Sequence, residues 1–416
     1  MAKGRERGRE TRQQRRTREL AAAQAVRPPA ACDVCVVGGG AAGLAAAITA
    51  AEAGASTVVL ERDLECGRTI LATGNGRCNF SNANLSPAAY NQPDFVGTTC
   101  GPLFLDDVLD FFRDCGLVWA VEDGRLYPAS FQAASVRNVL LARAGRAGVA
   151  TACGRAVTAV SAQVRRDSGG NGAFRVTFEG EAPGLCGTLA ARRVVWTAGG
   201  GTSDALAALG LATVPTRPVL CPLACDDSGA LPLAQLDGRR AHATLTLLRH
   251  DLPLASERGE VLFRSYGVSG IAVFNLSRLA EPGDTLVADL LPQTDEEDLA
   301  QVLRRGTPLD GAVEPAIAQA LLDAARARGN TSPGALAHAV KHVTLIVRGL
   351  ADTNHAQVTR GGLAVEGFSP HTLQSKVVPG LFAAGEALDV DGACGGFNLS
   401  WAWASGMVAG AAASAH

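Results

Sequence analysis

Three hydrophobic patterns follow one another along the chain, and their order predicts its fold. Asp33 to Val37 is a short apolar run rich in β-branched residues, and Gly38, Gly39 and Gly40 break it. Ala41 to Ala53 is alanine-rich with helical character and stops at Gly54; a second apolar run, Ser56 to Leu60, then delivers Glu61. Strand, turn, helix, strand is the repeating unit of a parallel sheet.

Downstream, Leu103 to Cys115 predicts an amphipathic helix and Glu122 to Ser130 a turn with a short strand. Ser135 to Ala147 predicts another helix, ended by Gly148. Val149 to Val160, Phe174 to Phe178 and Arg193 to Trp196 read as strands around a loop at Asp167 to Gly172, and the last leads into Thr197-Ala198-Gly199-Gly200-Gly201. From Thr202 to Lys341 frequent prolines separate short β-like runs such as Ala243 to Leu248 and Thr285 to Leu290, before helical stretches at Asp295 to Arg305 and Ala312 to Arg328. Val378 to Ala413 returns to the pattern of the opening, with a strand at Leu381 to Ala384, Gly385-Glu386, the loop Asp389 to Asn398, and an alanine-rich helix from Leu399. The expected class is α/β, a Rossmann-like domain in two parts (31–202 and 346–416) around an inserted domain, 203–345, that is β-rich and then helical.

Charge adds a fourth region. The net charge of −2 over 416 residues is unevenly spread, because residues 1 to 20 carry Lys3 and seven arginines against Glu6, Glu10 and Glu19. With almost no apolar residue before Leu20, residues 1–28 are expected to be a disordered basic arm, either a solvated tail or a tether to RNA through residues 1–20. No apolar span is long enough for a bilayer and no secretory pattern is present, so a cytoplasmic protein is expected. Eleven scattered cysteines suggest reduced thiols, with Cys32, Cys35, Cys221 and Cys225 structural. His338 and His342 could share a helix face, but no carboxylate or third ligand stands near them in sequence; a solvated face and no metal are expected.

The candidate chemistry lies in the glycines. Gly38, Gly40 and Gly43 match G-x-G-x-x-G, which provides a tight turn, close backbone approach to a pyrophosphate, and close helix–strand packing. The helix start at Ala41 and Ala42 favours an anion, and Glu61 is placed for a ribose hydroxyl. A second glycine-rich loop, Cys66 to Asn82, carries Arg68 and Arg77 as donors. With Gly385-Glu386 and a helix start at the far end of the chain, the site is split. That suits FAD better than NAD, and Gly199 to Gly201 completes no second dinucleotide unit.

Four motifs in order, TGNGRCNFSN, GEVLFRSYGVSGIAVFNLSR, AQVTRGGL and LFAAGEALDVDGACGGFNLSWAWASGMVAG, give nearly everything after residue 31 a resemblance to the BaiN/YhiN-type FAD-dependent flavoprotein oxidoreductases. The resemblance implies a glutathione-reductase-like, two-dinucleotide-binding-domain flavoprotein with non-covalent FAD and an inserted β-barrel-like plus helical domain. It implies that Gly38, Gly40, Ala41, Ala42 and Gly43 hold the pyrophosphate and Glu61, beside Arg62, the adenosine ribose. Arg68 and the loop Thr73, Gly74, Asn75, Gly76, Arg77, Cys78 and Asn79 would line the flavin. Glu386, next to Gly385, would meet the ribityl-phosphate region, and Gly396, Phe397, Asn398 and Leu399 the pyrimidine edge. Val157, Ala198, Gly199, Asp391 and Gly395 complete the candidate cofactor-binding set. The chain departs from the family where Gly201-Thr202-Ser203-Asp204 passes directly into Ala205 to Leu209.

Activities associated with the group include reduction of C=C bonds conjugated to a carbonyl, in steroid-like bile acid intermediates and in uracil rings of ribosomal RNA. The expectation for this chain is NAD(P)H-driven reduction of such an enone through flavin N5, with Cys78 a candidate proton donor. An amine or aminoketone oxidase, or an rRNA-modifying flavoprotein using the basic arm, are the alternatives.

Overall fold

A computed structural model describes residues 11–162, 174–199, 204–227 and 231–415. It divides into two compact units, Met1–Arg217 with Thr359–His416, and Pro218–Val358. The insert therefore starts and ends about a dozen residues later than the expected 203–345. Thr213–Val219 and Val358–Leu363 pair as a two-stranded sheet.

The first unit is built on a seven-stranded sheet. Its parallel part runs in the order Ala150–Ala152, Thr57–Leu60, Ala31–Val37, Gly187–Trp196, Leu381–Ala383. Phe174–Glu179 and Ala156–Ala162 extend it in antiparallel fashion beyond Gly187–Trp196. Within Ala31–Val37 the run Val34 to Val37 is apolar, as a parallel sheet covered on both faces requires, and Val34, Cys35 and Val36 have no exposure. Burial pushes the Cys32 thiol up to about 12, so this cysteine behaves as core.

Helix Ala41–Glu52 has no polar face, as expected for a helix enclosed on all sides. It packs on the sheet and against the C-terminal helix Phe397–Ser414, which is equally apolar. A Cβ at Gly406 would lie 2.4 Å from the Ala42 carbonyl oxygen, and one at Gly410 would lie 2.3 Å from that of Ala46. Ala42 faces Gly406 and Ala46 faces Gly410, so the two helices run parallel with their backbones in contact.

The arm differs from expectation. Residues Arg12–Ala25 form a helix, entered through a capping box in which Thr11 and Gln14 exchange hydrogen bonds. What orders it is tertiary. Arg155, only 1 % exposed, donates to the carbonyls of Ala23 and Val26 at the end of this helix and to that of Cys153. The buried guanidinium thus satisfies carbonyls that a helix C-terminus leaves without partners. Gln24 donates to Pro183 O at 3.2 Å, and Arg16 pairs with Glu181. Residues 1–10 lie outside the described part.

The second unit contains a closed six-stranded barrel, Leu223–Asp227, Gly267–Ser269, Leu252–Arg264, Arg240–Arg249, Thr285–Asp289 and Val343–Leu350. Helices Glu296–Arg304, Pro315–Ala327 and Pro333–Lys341 share its core through Leu299, Leu321 and Val340. The expectation that His338 and His342 lack a carboxylate is corrected here. Packing of the first and third of these helices brings Glu296 to both rings, at 3.3 and 3.0 Å.

Replacing Arg155 by Ala should release the arm helix, because the carbonyls of Ala23 and Val26 lose their donor at about 1 kcal/mol each. Limited trypsin digestion is expected to cleave at Arg15, Arg16 and Arg18 at least tenfold faster in this variant.

Candidate functional site

Sheet register brings the candidates together. Val37 is level with Leu60 and with Trp196, and Trp196 with Ala383. Four parallel strands therefore end on one line and present Gly38, Glu61, Thr197 and Ala384 along it. In an open α/β sheet, ligands bind at this carboxyl edge.

At its centre, Gly38 turns with φ 101°, and the Thr197 hydroxyl lies 2.9 Å from the carbonyl oxygens of both Val37 and Gly38. A Cβ on Gly43 would sit 1.8 Å from Gly38 O, which fixes why that position is glycine. Helix Ala41–Glu52 begins at Gly40 with no side chain capping it. Its first N–H groups and positive end thus face the turn. Glu61 accepts from Gly39 N at 2.5 Å with one oxygen and from Asp63 N at 2.8 Å with the other.

The chain's other end joins the same edge. Gly385 donates its N–H to Ser405 Oγ at 2.9 Å and accepts from Trp401 Nε1 at 3.1 Å; a Cβ on it would lie 2.7 Å from that of Ala42. Glu386 accepts from Thr359 N at 2.6 Å and stands against Gly199, and desolvation raises its carboxyl above the ordinary range. Asn398 folds the following loop, donating to Gly392 O at 2.9 Å and accepting from Gly392 N at 2.8 Å. Tyr90 donates to Phe397 O at 2.7 Å.

The loop around Thr73 to Asn82 is sewn to the start of the C-terminal helix. Gly74, Asn75 and Cys78 all take positive φ, near 55°. Trp403 donates to Phe80 O at 3.0 Å, Asn82 to Gly395 O at 2.8 Å, and the hydroxyls of Ser81 and Ser400 meet at 2.9 Å. Asn79 Oδ1 lies 2.9 Å from where a Cβ on Gly396 would be. That oxygen is buried and has no hydrogen-bond partner. Such an atom costs about 1–3 kcal/mol unless a ligand supplies a donor.

Two helix starts thus point the same way. Since Ala42 is level with Gly406, the C-terminal helix begins eight residues before the level of Ala41, or about 12 Å at 1.5 Å per residue. Neither start has a side-chain cap. One can hold a phosphate and the other can stabilise negative charge further along an extended ligand. Together with the glycine cradle and the orphaned Asn79 oxygen, these residues fit FAD.

Several candidates go elsewhere. Arg77 sits over the rings of Tyr127 and Phe131, 4.5 and 4.6 Å from their centroids, and pairs with Glu122 at 2.7 Å. Arg68 is exposed and pairs with Asp63 at 3.4 Å, Arg62 is exposed, and Val157 lies on an outer antiparallel strand beside Phe178. Asp391 has no exposure and forms a forked pair with Arg360, at 2.5 and 3.0 Å. Cys78 is fully buried, and burial pushes its thiol up to about 11. The departure at Gly201 to Ser203 lies outside the described residues. Missed from sequence were the roles of Thr197 and Ser405, which hold backbone, while Asn82 lies at the end of the expected loop Cys66 to Asn82. Cys66, at the start of that loop, has its Sγ 2.5 Å from where a Cβ on Gly39 would be and 3.5 Å from Cys153 Sγ. Only Thr197 carried a signal, directly following a strand that ends at the glycines.

The profile of the HI0933-like protein Rossmann domain matches residues 32–412. The chain is 31 % identical over 419 residues to the 3-dehydro-bile acid delta(4,6)-reductase of Clostridium scindens, covering 91 % of this chain and 98 % of the relative. It is 26 % identical over 400 residues to the ribosomal RNA dihydrouridine synthase of Escherichia coli, covering 90 % and 96 %. Among solved structures, a 3-ketosteroid-delta4-(5alpha)-dehydrogenase from Rhodococcus jostii RHA1 aligns with a TM-score of 0.49 at 17 % identity, covering 93 % of this chain and 97 % of that one. No helix among the described residues is long and apolar enough to cross a membrane.

Gly43→Ala forces its methyl onto Gly38 O and must open the turn. The purified variant is expected to carry less than a tenth of the wild-type flavin per chain, read from the visible absorbance, with a lowered unfolding midpoint.

Proposed function

Because this chain belongs to the HI0933-like protein Rossmann domain family and is an FAD-dependent oxidoreductase, we propose that it reduces a carbon–carbon double bond conjugated to a carbonyl. Its substrate in this reading is a steroid-like enone and its electron donor is NAD(P)H. The observation that carries the reading is the start of the C-terminal helix at Gly396, uncapped and set beside the unpartnered Asn79 oxygen. The bile acid reductase among the relatives supports the substrate class.

In this assignment Gly38, Gly40 and Gly43, with the N–H groups of Ala41 and Ala42, hold the pyrophosphate. Each Glu61 oxygen has one backbone donor and a lone pair to spare for a ribose hydroxyl. Asn79 and Gly396 to Leu399 hold the pyrimidine edge of the ring, where an imide N–H suits the orphaned acceptor. When bound, FAD supplies hydride transfer between its N5 and a substrate carbon. The helix start favours negative charge at that end of the ring. Cys78 keeps its proton at neutral pH, yet has no solvent-facing surface, so it braces the loop and is assigned no proton transfer.

A second reading has one specific observation behind it. The arm helix carries the exposed arginines Arg12, Arg15, Arg16 and Arg18, of which Arg15 pairs with Glu19 and Arg16 with Glu181, and one relative is an rRNA dihydrouridine synthase. Its substrate, a uracil ring, is also a C=C bond conjugated to a carbonyl.

Asn79→Ala should act with opposite signs on the two states. Removing an unpaired buried acceptor leaves the apoprotein no less stable, whereas FAD affinity falls about tenfold, the weight of one hydrogen bond. Thermal unfolding of the apoprotein and a fluorescence titration with FAD measure both. For the reaction itself, the flavin is reduced anaerobically with NADH or NADPH and mixed with a 3-keto-4-ene steroid, its saturated analogue, or a uridine-rich rRNA fragment. Reoxidation at least 100-fold faster with the enone than with the saturated ketone is expected. Fast reoxidation by the RNA alone selects the second reading. No discrimination among the three, with peroxide formed on admitting oxygen and an aminoketone, replaces both by an oxidase.

A further inference from the structure

A cluster of metal-ligating side chains lies in the second unit, outside everything described above. Helix Pro333–Lys341 places His338 and its C-terminal neighbour His342 four residues apart, which puts both rings on one face. The rings stack with centroids 4.4 Å apart. Glu296 is the first residue of helix Glu296–Arg304, whose Leu299 and Leu303 share a buried core with Leu336 and Val340. That packing fixes the carboxylate against the two imidazoles. Oε1 lies 3.3 Å from His338 Nδ1 and Oε2 3.0 Å from His342 Nε2, and one ligand atom from each of the three residues lies within 4.8 Å of the others.

We propose that Glu296, His338 and His342 form a binding site for a divalent transition-metal ion, with Zn2+ as the probe. Two imidazoles and one carboxylate are the donor set such ions take. With bonds of about 2.05 Å, neighbouring ligands of a tetrahedral ion stand about 3.3 Å apart, so the carboxylate and the rings are already at nearly the required spacing. His338 Nδ1 and His342 Nε2 face the carboxylate. Neutral imidazole can carry its proton on the outward nitrogen, leaving both inward lone pairs for the ion. Lys341, between the histidines in sequence, is directed elsewhere: its ammonium is 2.7 Å from Asp289 and also bonds to the carbonyls of Leu291 and Thr294. The C-terminal end of the histidine helix adds its partial negative charge. The side chains of His338, His342 and Glu296 are 64, 48 and 42 % exposed, so an ion reaches them from solvent and water completes the coordination. The ion would join the two helices that carry them.

The test is calorimetric titration of Zn2+ into the untagged, FAD-loaded full-length protein in chelator-free buffer, with thermal unfolding in parallel. Wild type is expected to bind one ion at this cluster and to unfold at a higher temperature with it. His338→Asn with His342→Asn should weaken that binding at least 100-fold and abolish the thermal shift, and Glu296→Gln should weaken it about tenfold. All three positions are exposed, and circular dichroism with the flavin content verifies that the variants remain folded. The proposal is overturned if the double variant binds Zn2+ with the stoichiometry and affinity of wild type, which would place the ion on the thiols. It is equally overturned if wild type binds none, which would leave the cluster a hydrogen-bonded pair of rings.

Discussion

Everything at the carboxyl edge depends on two glycines meeting two carbonyls. Gly406 and Gly410 admit the backbone of helix Ala41–Glu52 so closely that any side chain there would overlap Ala42 O or Ala46 O. This contact makes the two helices parallel and sets their stagger. The stagger in turn separates two positive helix ends by about 12 Å. The two helix starts are thus fixed relative to each other by packing between apolar helices.

The same economy runs through the turns. Thr197 uses one hydroxyl to brace two carbonyls of the glycine turn, Ser405 steadies Gly385, and Asn398 closes the second loop on itself. These side chains are occupied by the protein. Among the groups left open are backbone N–H at the two helix starts, a lone pair on each Glu61 oxygen and the amide oxygen of Asn79. Groups of this kind suit a ligand with an anionic centre and a donor at some distance from it. Three charged residues that looked suited to ligand contact have protein partners: Arg77 has two aromatic rings and Glu122, Arg68 has Asp63, and Asp391 has Arg360.

The architecture was legible in the sequence because the constraints behind it are local. A strand buried on both faces must be uniformly apolar, a turn at positive φ favours glycine, and a fully enclosed helix becomes alanine and glycine; each leaves a mark within a few residues. The glycine turn, the loop after Gly385 and the change to short β-like runs and then helices in the insert all carry such marks, while closure of those strands into a barrel carries none. The fate of long polar side chains carries none. Arg155 caps an arm helix more than 120 residues away, and Glu296 reaches histidines more than 40 residues on. By its own residues the arm predicts disorder, because they bury almost nothing. Its order comes from a buried arginine whose role is invisible until the chain is folded.

Splitting one site between the two ends of a chain also bears on how it folds. Gly43 and Gly396 are brought together across some 350 residues, and closing a loop of that length carries an entropy cost that grows only as (3/2)RT ln n. Removing the roughly 140 residues of the second unit would lower that cost by only about 0.5 kcal/mol. An insertion of this size is therefore nearly neutral for the completed site. Its own barrel and core offset its ordering independently, through Val261, Phe263, Leu286 and Leu345. The helix pair must supply the rest, and it does so with buried alanines, glycines and two fully enclosed tryptophans, Trp401 and Trp403. Both indole N–H groups bond to site carbonyls, those of Gly385 and Phe80. The groups that anchor the last helix are thus the groups that shape the ligand loops, so docking that helix and completing the site are one event.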